Sequence, residues 1–304
     1  MGTKLFENMA TYEVILLILG CVLFLISLVG IIIGMIRRET LKKYIPLLFI
    51  AIVMIGFSAI KKVSLGNDFI SIEKNSNDYL NDPSDTATLS KLAENYKKIN
   101  PDLLQTPQDL TSYAKAAMLL GENEISIKYV NKALDMDKNY GPANDVKAQA
   151  ESNMAIKQVT LEPENEELKS TLAGKLRVLD SIPTKNNYRS LKLAEGHLLT
   201  GNTAKSREEA NNVIAKNPDQ KQAHEIIQLA DVEEKIKKTK ENPANKKDLQ
   251  LALRNFKEIP TTEHQKAYKS AVLAKAYTAL GDHQKSEQYK DSAKIYLAKP
   301  LFKK

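Results

Sequence analysis

The chain has 304 residues, with 44 Lys and Arg against 37 Asp and Glu, one cysteine and no tryptophan. A single cysteine excludes a disulfide framework and a cysteine-based zinc site. The formal net charge of +7 comes without a block of like charge, which argues against a nucleic-acid partner.

Val14 to Ile36 is an uninterrupted apolar run of 23 residues. As a helix it is about 34 Å long, enough to cross a hydrocarbon core of about 30 Å. A cleaved signal peptide would need a basic leader and a small-residue cleavage site. Here Lys4 precedes the run alongside Glu7 and Glu13, and Arg37-Arg38 follow it. Residues 44–60 form a shorter apolar run with Pro46 in its first turn, where a helix tolerates proline. The expectation is a two-helix transmembrane anchor over residues 1–60, embedded by residues 14–36 and 44–60. Neither run contains a charged side chain, so an ion pathway lacks the groups it needs. Gly30 and Gly34 have GxxxG spacing, but glycine is frequent in membrane helices and one match carries little.

Residues 61–82 follow as a connector. Val63 and Leu65, then Ile70 and Ile72, alternate around Gly66-Asn67-Asp68, which predicts a short β-hairpin or an extended linker.

The remainder repeats with a period of 80. Gly121, Gly201 and Gly281 are 80 residues apart, and Pro83, Pro163 and Pro243 keep the same spacing. Ala114, Ala194 and Ala274 coincide in that register, as do Ser126, Ser206 and Ser286, and Ile99, Leu179 and Ile259. Apolar residues between these marks recur at helical spacing, as in Leu89, Leu92, Ala93, Tyr96 and Ile99. Each glycine sits where a helix must turn, because it adopts the left-handed conformation without strain. Units over 83–162, 163–242 and 243–304 with four, four and three helices give an all-α chain of about eleven helices after the anchor.

Leu110-x-x-Tyr113-Ala114-x-x-Ala117-x-x-x-Gly121-x-x-x-x-Ser126-x-x-x-Val130-x-x-Ala133 resembles a tetratricopeptide repeat. Leu193-Ala194-x-x-His197-x-x-x-Gly201, closed by Ala210 and Pro218, fits the same template. So does Leu273-Ala274-x-x-Tyr277-x-x-x-Gly281, with Ser286 and Ala293. The resemblance covers roughly a third of the chain; the intervening hairpins are longer than the family's period of about 34 residues. It implies an α-solenoid whose concave groove binds a peptide or protein. The groove positions it implies include Thr111, Lys115, Met118 and Leu119 in the first unit. In the second they include Tyr188, Leu191, Glu195 and Leu198, and in the third Tyr268, Ala271, Lys275 and Thr278. The family's clamp for C-terminal carboxylates needs Lys and Asn at two of these positions, and this chain does not have that pair.

No catalytic pattern appears. His197, His224, His264 and His283 form no H-E-x-x-H pair, and the nucleophile elbow, Walker A loop and G-x-G-x-x-G run are all missing. The expectation is no enzyme, no metal and no cofactor. The densest basic run, Lys235 to Lys247, is interleaved with Glu233, Glu234 and Glu241 and reads as a solvated helix end.

These features suggest a membrane-anchored scaffold or assembly factor. Two other readings are a cytochrome c maturation factor that holds an apoprotein, and an accessory subunit of a membrane transport complex.

The loop Arg37 to Lys43 carries four cations in seven residues. The positive-inside rule places it in the cytoplasm and the C-terminal region outside, although Lys61 and Lys62 pull the other way. The setting is a bacterial inner (cytoplasmic) membrane crossed twice. A phosphatase fused after Lys304 should therefore be active, and changing Arg37, Arg38, Lys42 and Lys43 to Asn should weaken or invert the orientation. An inactive fusion on the native sequence would put the repeats in the cytoplasm.

Overall fold

A computed structural model of the chain describes residues 11–37, 42, 44–183, 185–256 and 263–299. Most of the basic loop, Arg38 to Leu41 and Lys43, lies outside these residues, as does the repeat position Ile259. All regular structure among the described residues is helical. The helices are α1 (Thr11–Ile36), α2 (Ile45–Asn81), α3 (Thr86–Lys98), α4 (Pro107–Leu119), α5 (Asn123–Met136), α6 (Gly141–Leu161) and α7 (Glu166–Ser181). They continue with α8 (Asn187–Leu199), α9 (Thr203–Lys216), α10 (Lys221–Glu241), α11 (Lys246–Asn255), α12 (Glu263–Leu280) and α13 (His283–Ala298). Eleven of them, α3 to α13, follow Pro83, matching the sequence expectation.

Among the described residues one helix is long and apolar enough to cross a membrane: the Val14–Ile36 segment of α1, 23 residues whose apolar side chains point mainly outward. The apolar part of α2, Ile45–Ile55, is shorter. The two helices pack together, with Gly20 beneath Met54 and Ile55, and Gly30 beneath the ring of Tyr44. A side chain at Gly30 would strike that ring, so this glycine serves a contact within the chain.

The expected hairpin over 61–82 does not form. Helix α2 continues unbroken through Gly66-Asn67-Asp68 to Asn81. The reason lies in its pattern. Alternation would put Ile70 and Ile72 on one face of a strand, yet Ile70 is 67% exposed and Ile72 fully buried, as expected for residues about 200° apart around a helix. Ile72, Ser76, Tyr79 and Leu80 are all buried and make a helical stripe.

The end of α2 belongs to the repeats. Asn81, Leu161 and Glu241 close α2, α6 and α10, spaced 80 apart. Each of these helices packs on the next two: α2 on α3 and α4, α6 on α7 and α8, α10 on α11 and α12. The supposed connector thus supplies the inner helix of the first unit, and the last unit has its own in α10.

Within each unit the punctuating residues act as their spacing suggests. Gly121, Gly201 and Gly281 have φ of 85°, 78° and 84°. After each, the next amide reaches back to close the helix end: Glu122 N–H to Ala117 O at 2.8 Å, Asn202 to His197 O at 2.7 Å, and Asp282 to Tyr277 O at 2.9 Å. In the second and third units the recurrent serine and alanine are partners, whereas Ser126 Oγ in the first is buried with no hydrogen-bond partner among the described residues. Ser206 Oγ donates to Ala194 O (2.9 Å) and Ser286 Oγ to Ala274 O (3.1 Å), tying each helix to its neighbour. Pro83 and Pro163 precede their helices by a turn that an Asp or Asn cap completes, Asp85 for α3 and Asn165 for α7.

The inner helices also meet at longer range. Helix α2 touches α8, and α6 touches α12 and α13. Asn187 Nδ2 donates to Asn81 O at 2.7 Å, and the Tyr79 and Tyr188 rings lie 6.3 Å apart. The inner face of the repeats therefore folds onto itself. Ala194, fully buried at the α8–α9 crossing, leaves no room for growth. Ala194→Phe should destabilise the full chain in detergent by roughly 1–3 kcal/mol in urea denaturation, and a neutral result would refute this placement of α8 against α9.

Candidate functional site

The inner row consists of α2, α4, α6, α8, α10 and α12, and it carries all eight principal groove residues expected from sequence. Seven of them, Thr111, Met118, Tyr188, Leu191, Glu195, Tyr268 and Lys275, are buried, and Lys115 is partly buried. Five of the eight come together: Met118, Tyr188, Leu191, Glu195 and Tyr268 line one cavity of about 100 Å³. Thr111, Lys115 and Lys275 do not reach it. Thr111 Oγ1 is turned back on its own helix, donating to Pro107 O at 2.7 Å.

The cavity wall includes residues that sequence reasoning did not single out: Tyr79 from α2, Asn153 from α6, Lys192 from α8 and Gln222 from α10. The signal for them was present. Position 153 is the 80-residue counterpart of 73 and 233, which face positions 115 and 275. Carrying the period back to Glu73 would have brought α2 into the inner row.

These positions form an electrostatic series. In the last unit Lys275 pairs with Glu233 across α10 and α12, with side chains only 4% and 10% exposed. In the first, Lys115 Nζ lies 3.5 Å from Asn77 Oδ1, and burial draws the Lys115 ammonium below its usual range while Glu73 partly opposes this. In the middle unit the charges change: Glu195 replaces lysine, and the neutral Asn153 replaces glutamate. Glu195 takes its partners elsewhere, from Lys192 on its own helix (2.7 Å) and Gln222 Nε2 on α10 (2.6 Å). Burial favours the neutral form of Lys192, but Glu195, Tyr188 and the hydrogen bond to Glu195 outweigh it and hold the lysine above its ordinary value.

Asn153 Nδ2 donates to Tyr188 Oη at 2.9 Å and to Asn123 Oδ1 at 3.3 Å. Burial, opposed by Lys192, pushes the Tyr188 hydroxyl upward. Tyr268 is 4% exposed, and its hydroxyl has no hydrogen-bond partner among the described residues. Burial and then the carboxylates of Glu195, Glu225 and Glu233 raise its pKa well above the usual tyrosine range. Those glutamates are themselves matched: Glu225 lies 3.5 Å from Lys269, and Glu233 meets Lys275.

Outside the cavity, His197 is half buried and lowered chiefly by that burial. His224 Nε2 lies 2.7 Å from Pro218 O. No group of three or more His, Cys, Asp or Glu side chains suited to a metal occurs among the described residues. In the basic run, Lys240 pairs with Glu164 at 3.1 Å and Glu234 with Arg207 at 2.7 Å.

No known family model matches the chain, and no curated protein or solved structure matches it significantly.

The buried Lys275–Glu233 pair makes a sharp test of the inner row. Lys275→Met should cost roughly 3–5 kcal/mol, because it strands a buried carboxylate, and adding Glu233→Leu should recover most of that loss. Denaturation of both variants measures it. A double variant no more stable than the single would mean that the pair is not coupled as described.

Proposed function

We propose that this chain is a non-enzymatic scaffold or assembly factor: a tetratricopeptide-like α-solenoid that binds protein or peptide partners at a bacterial inner membrane. In this reading α1 and the first part of α2 form a two-span anchor, and the repeats stand on the extracytoplasmic side. The observation that best supports it is the convergence of five of the groove residues expected from sequence, contributed by α4, α8 and α12, on a single cavity. Residues placed on equivalent faces by an 80-residue period meet in space, as a shared binding face requires.

The burial of that face changes how a partner is held. An extended peptide has no open trough to lie in. A partner segment instead engages the mouth of the cavity, at whose edge Lys157 is exposed. The continuity of α2 from its apolar stretch to Asn81 fixes this mouth relative to the anchor.

A photo-reactive amino acid in place of Lys157, compared with one in place of the exposed Lys97 on α3, tests the reading in native membranes. A discrete protein adduct at position 157 and none at 97 is the expected result. Equal labelling at the two positions, or none at either, would defeat the scaffold assignment.

A further inference from the structure

We propose that the cavity at the centre of the inner row binds a small carboxylate with a short apolar tail, whether or not a protein partner docks at its mouth. Its volume of about 100 Å³ compares with the 150 Å³ apolar cavity that admits benzene, so it suits a molecule of about four or five non-hydrogen atoms. An apolar cavity of that size would stay dry, but this one has a polar side.

The hydrogen-bonding capacity left on that side is mainly donor. The Tyr268 hydroxyl is buried without a partner. Tyr188 Oη already accepts from Asn153, which leaves its own proton available. Lys192 has three N–H donors, and Glu195 is its ion-pair partner. Glu195, the carboxylate on the wall, is satisfied by Lys192 and Gln222 and offers a cation little. Among the described residues of the wall, the buried acceptor left without a partner is Asn153 Oδ1.

Charge points the same way. Lys157 and Lys192 face a single acid, Glu195, on the cavity wall. The acids behind Tyr268 are balanced by Lys269 and Lys275. Met118, Leu119, Ile156 and Leu191 supply an apolar surface for the tail. A carboxylate would accept from Tyr268, Tyr188 and Lys192 together. It would thereby satisfy a hydroxyl whose burial otherwise costs free energy with no return.

The feature belongs to the middle of the chain. Tyr188 and Tyr268 are counterparts 80 residues apart, and the first unit has Gln108 at that position. Glu195 with Lys192 also breaks the cross-helix pairing of the first and last units. Lys192, Glu195 and Asn153 differ from their counterparts in the other units, and all three line the cavity.

The test uses the full chain in detergent micelles and isotopically labelled propionate, with line broadening of the propionate resonances as the readout. Sodium chloride holds the ionic strength constant, and 1-propanol serves as the neutral counterpart. Propionate should bind saturably and propanol should not. Tyr268→Phe should weaken propionate binding by about tenfold, the effect of losing a hydrogen bond to a charged group, and should leave the melting temperature unchanged or raised. That second readout separates lost binding from a damaged fold. Lys157→Gln, at the exposed rim, should weaken binding less and make it less sensitive to salt. Unsaturable broadening, equal binding of propanol, or unchanged affinity in Tyr268→Phe would each overturn the proposal, the cavity then holding water alone.

Discussion

A pair of helices has two faces to cover and can cover only one by itself, so stacked pairs depend on their neighbours for the rest of their stability. Here that dependence runs through the inner row. Helix α6 buries Val146, Ala150, Ile156 and Val159 along its length and meets α4, α5, α7, α8, α12 and α13. A helix surrounded in this way has little amphipathic character left, which is why its side chains show no single apolar stripe. Close approach is made possible by small residues at the crossings, and serine hydroxyls stitch the paired backbones at Ala194 and Ala274. Because the inner helices also touch partners further along the chain, the face expected as an open trough becomes the second half of the core.

Burying that face brings charges inside, and the repeats handle them differently. Two units place lysine and glutamate or its neighbourhood across adjacent inner helices, whereas the middle unit uses a local pair and an amide. Ion pairs in such surroundings contribute little net stability compared with apolar packing. Their effect is to restrict register: a helix slid by one turn would leave a charge facing carbon. An 80-residue duplication can keep its packing while its charges change only if both members change, as 195, an acid in place of lysine, and 153, a neutral amide in place of glutamate, do relative to their counterparts.

Most of the fold was legible because glycine, proline, alanine and serine mark the period and each has a definite physical task. The left-handed turns at Gly121, Gly201 and Gly281 and the helices on either side could be read from spacing alone. The start of the repeats could not. Gly66-Asn67-Asp68 is a strong local turn signal, and it lost to the burial of Ile72, Ser76, Tyr79 and Leu80, which only tertiary contact can supply. For the same reason the candidate site was half visible. The residues of α4, α8 and α12 could be placed from the tetratricopeptide-like pattern, while Tyr79, Asn153 and Gln222 enter through helices that carry no such pattern.

The unbroken course of α2 has one further consequence. A flexible tether lets its cargo explore a volume that grows with tether length, but a helix transmits position and direction. Helix α2 has 37 residues, about 55 Å of rigid rod, and its last turns are clamped by α3, α4 and α8. Any change of tilt in its apolar end, Ile45–Ile55, is therefore carried to its other end. Tyr79, in the cavity wall, sits on that end. The apolar start of α2 and the interior of the repeats are thus two ends of one lever.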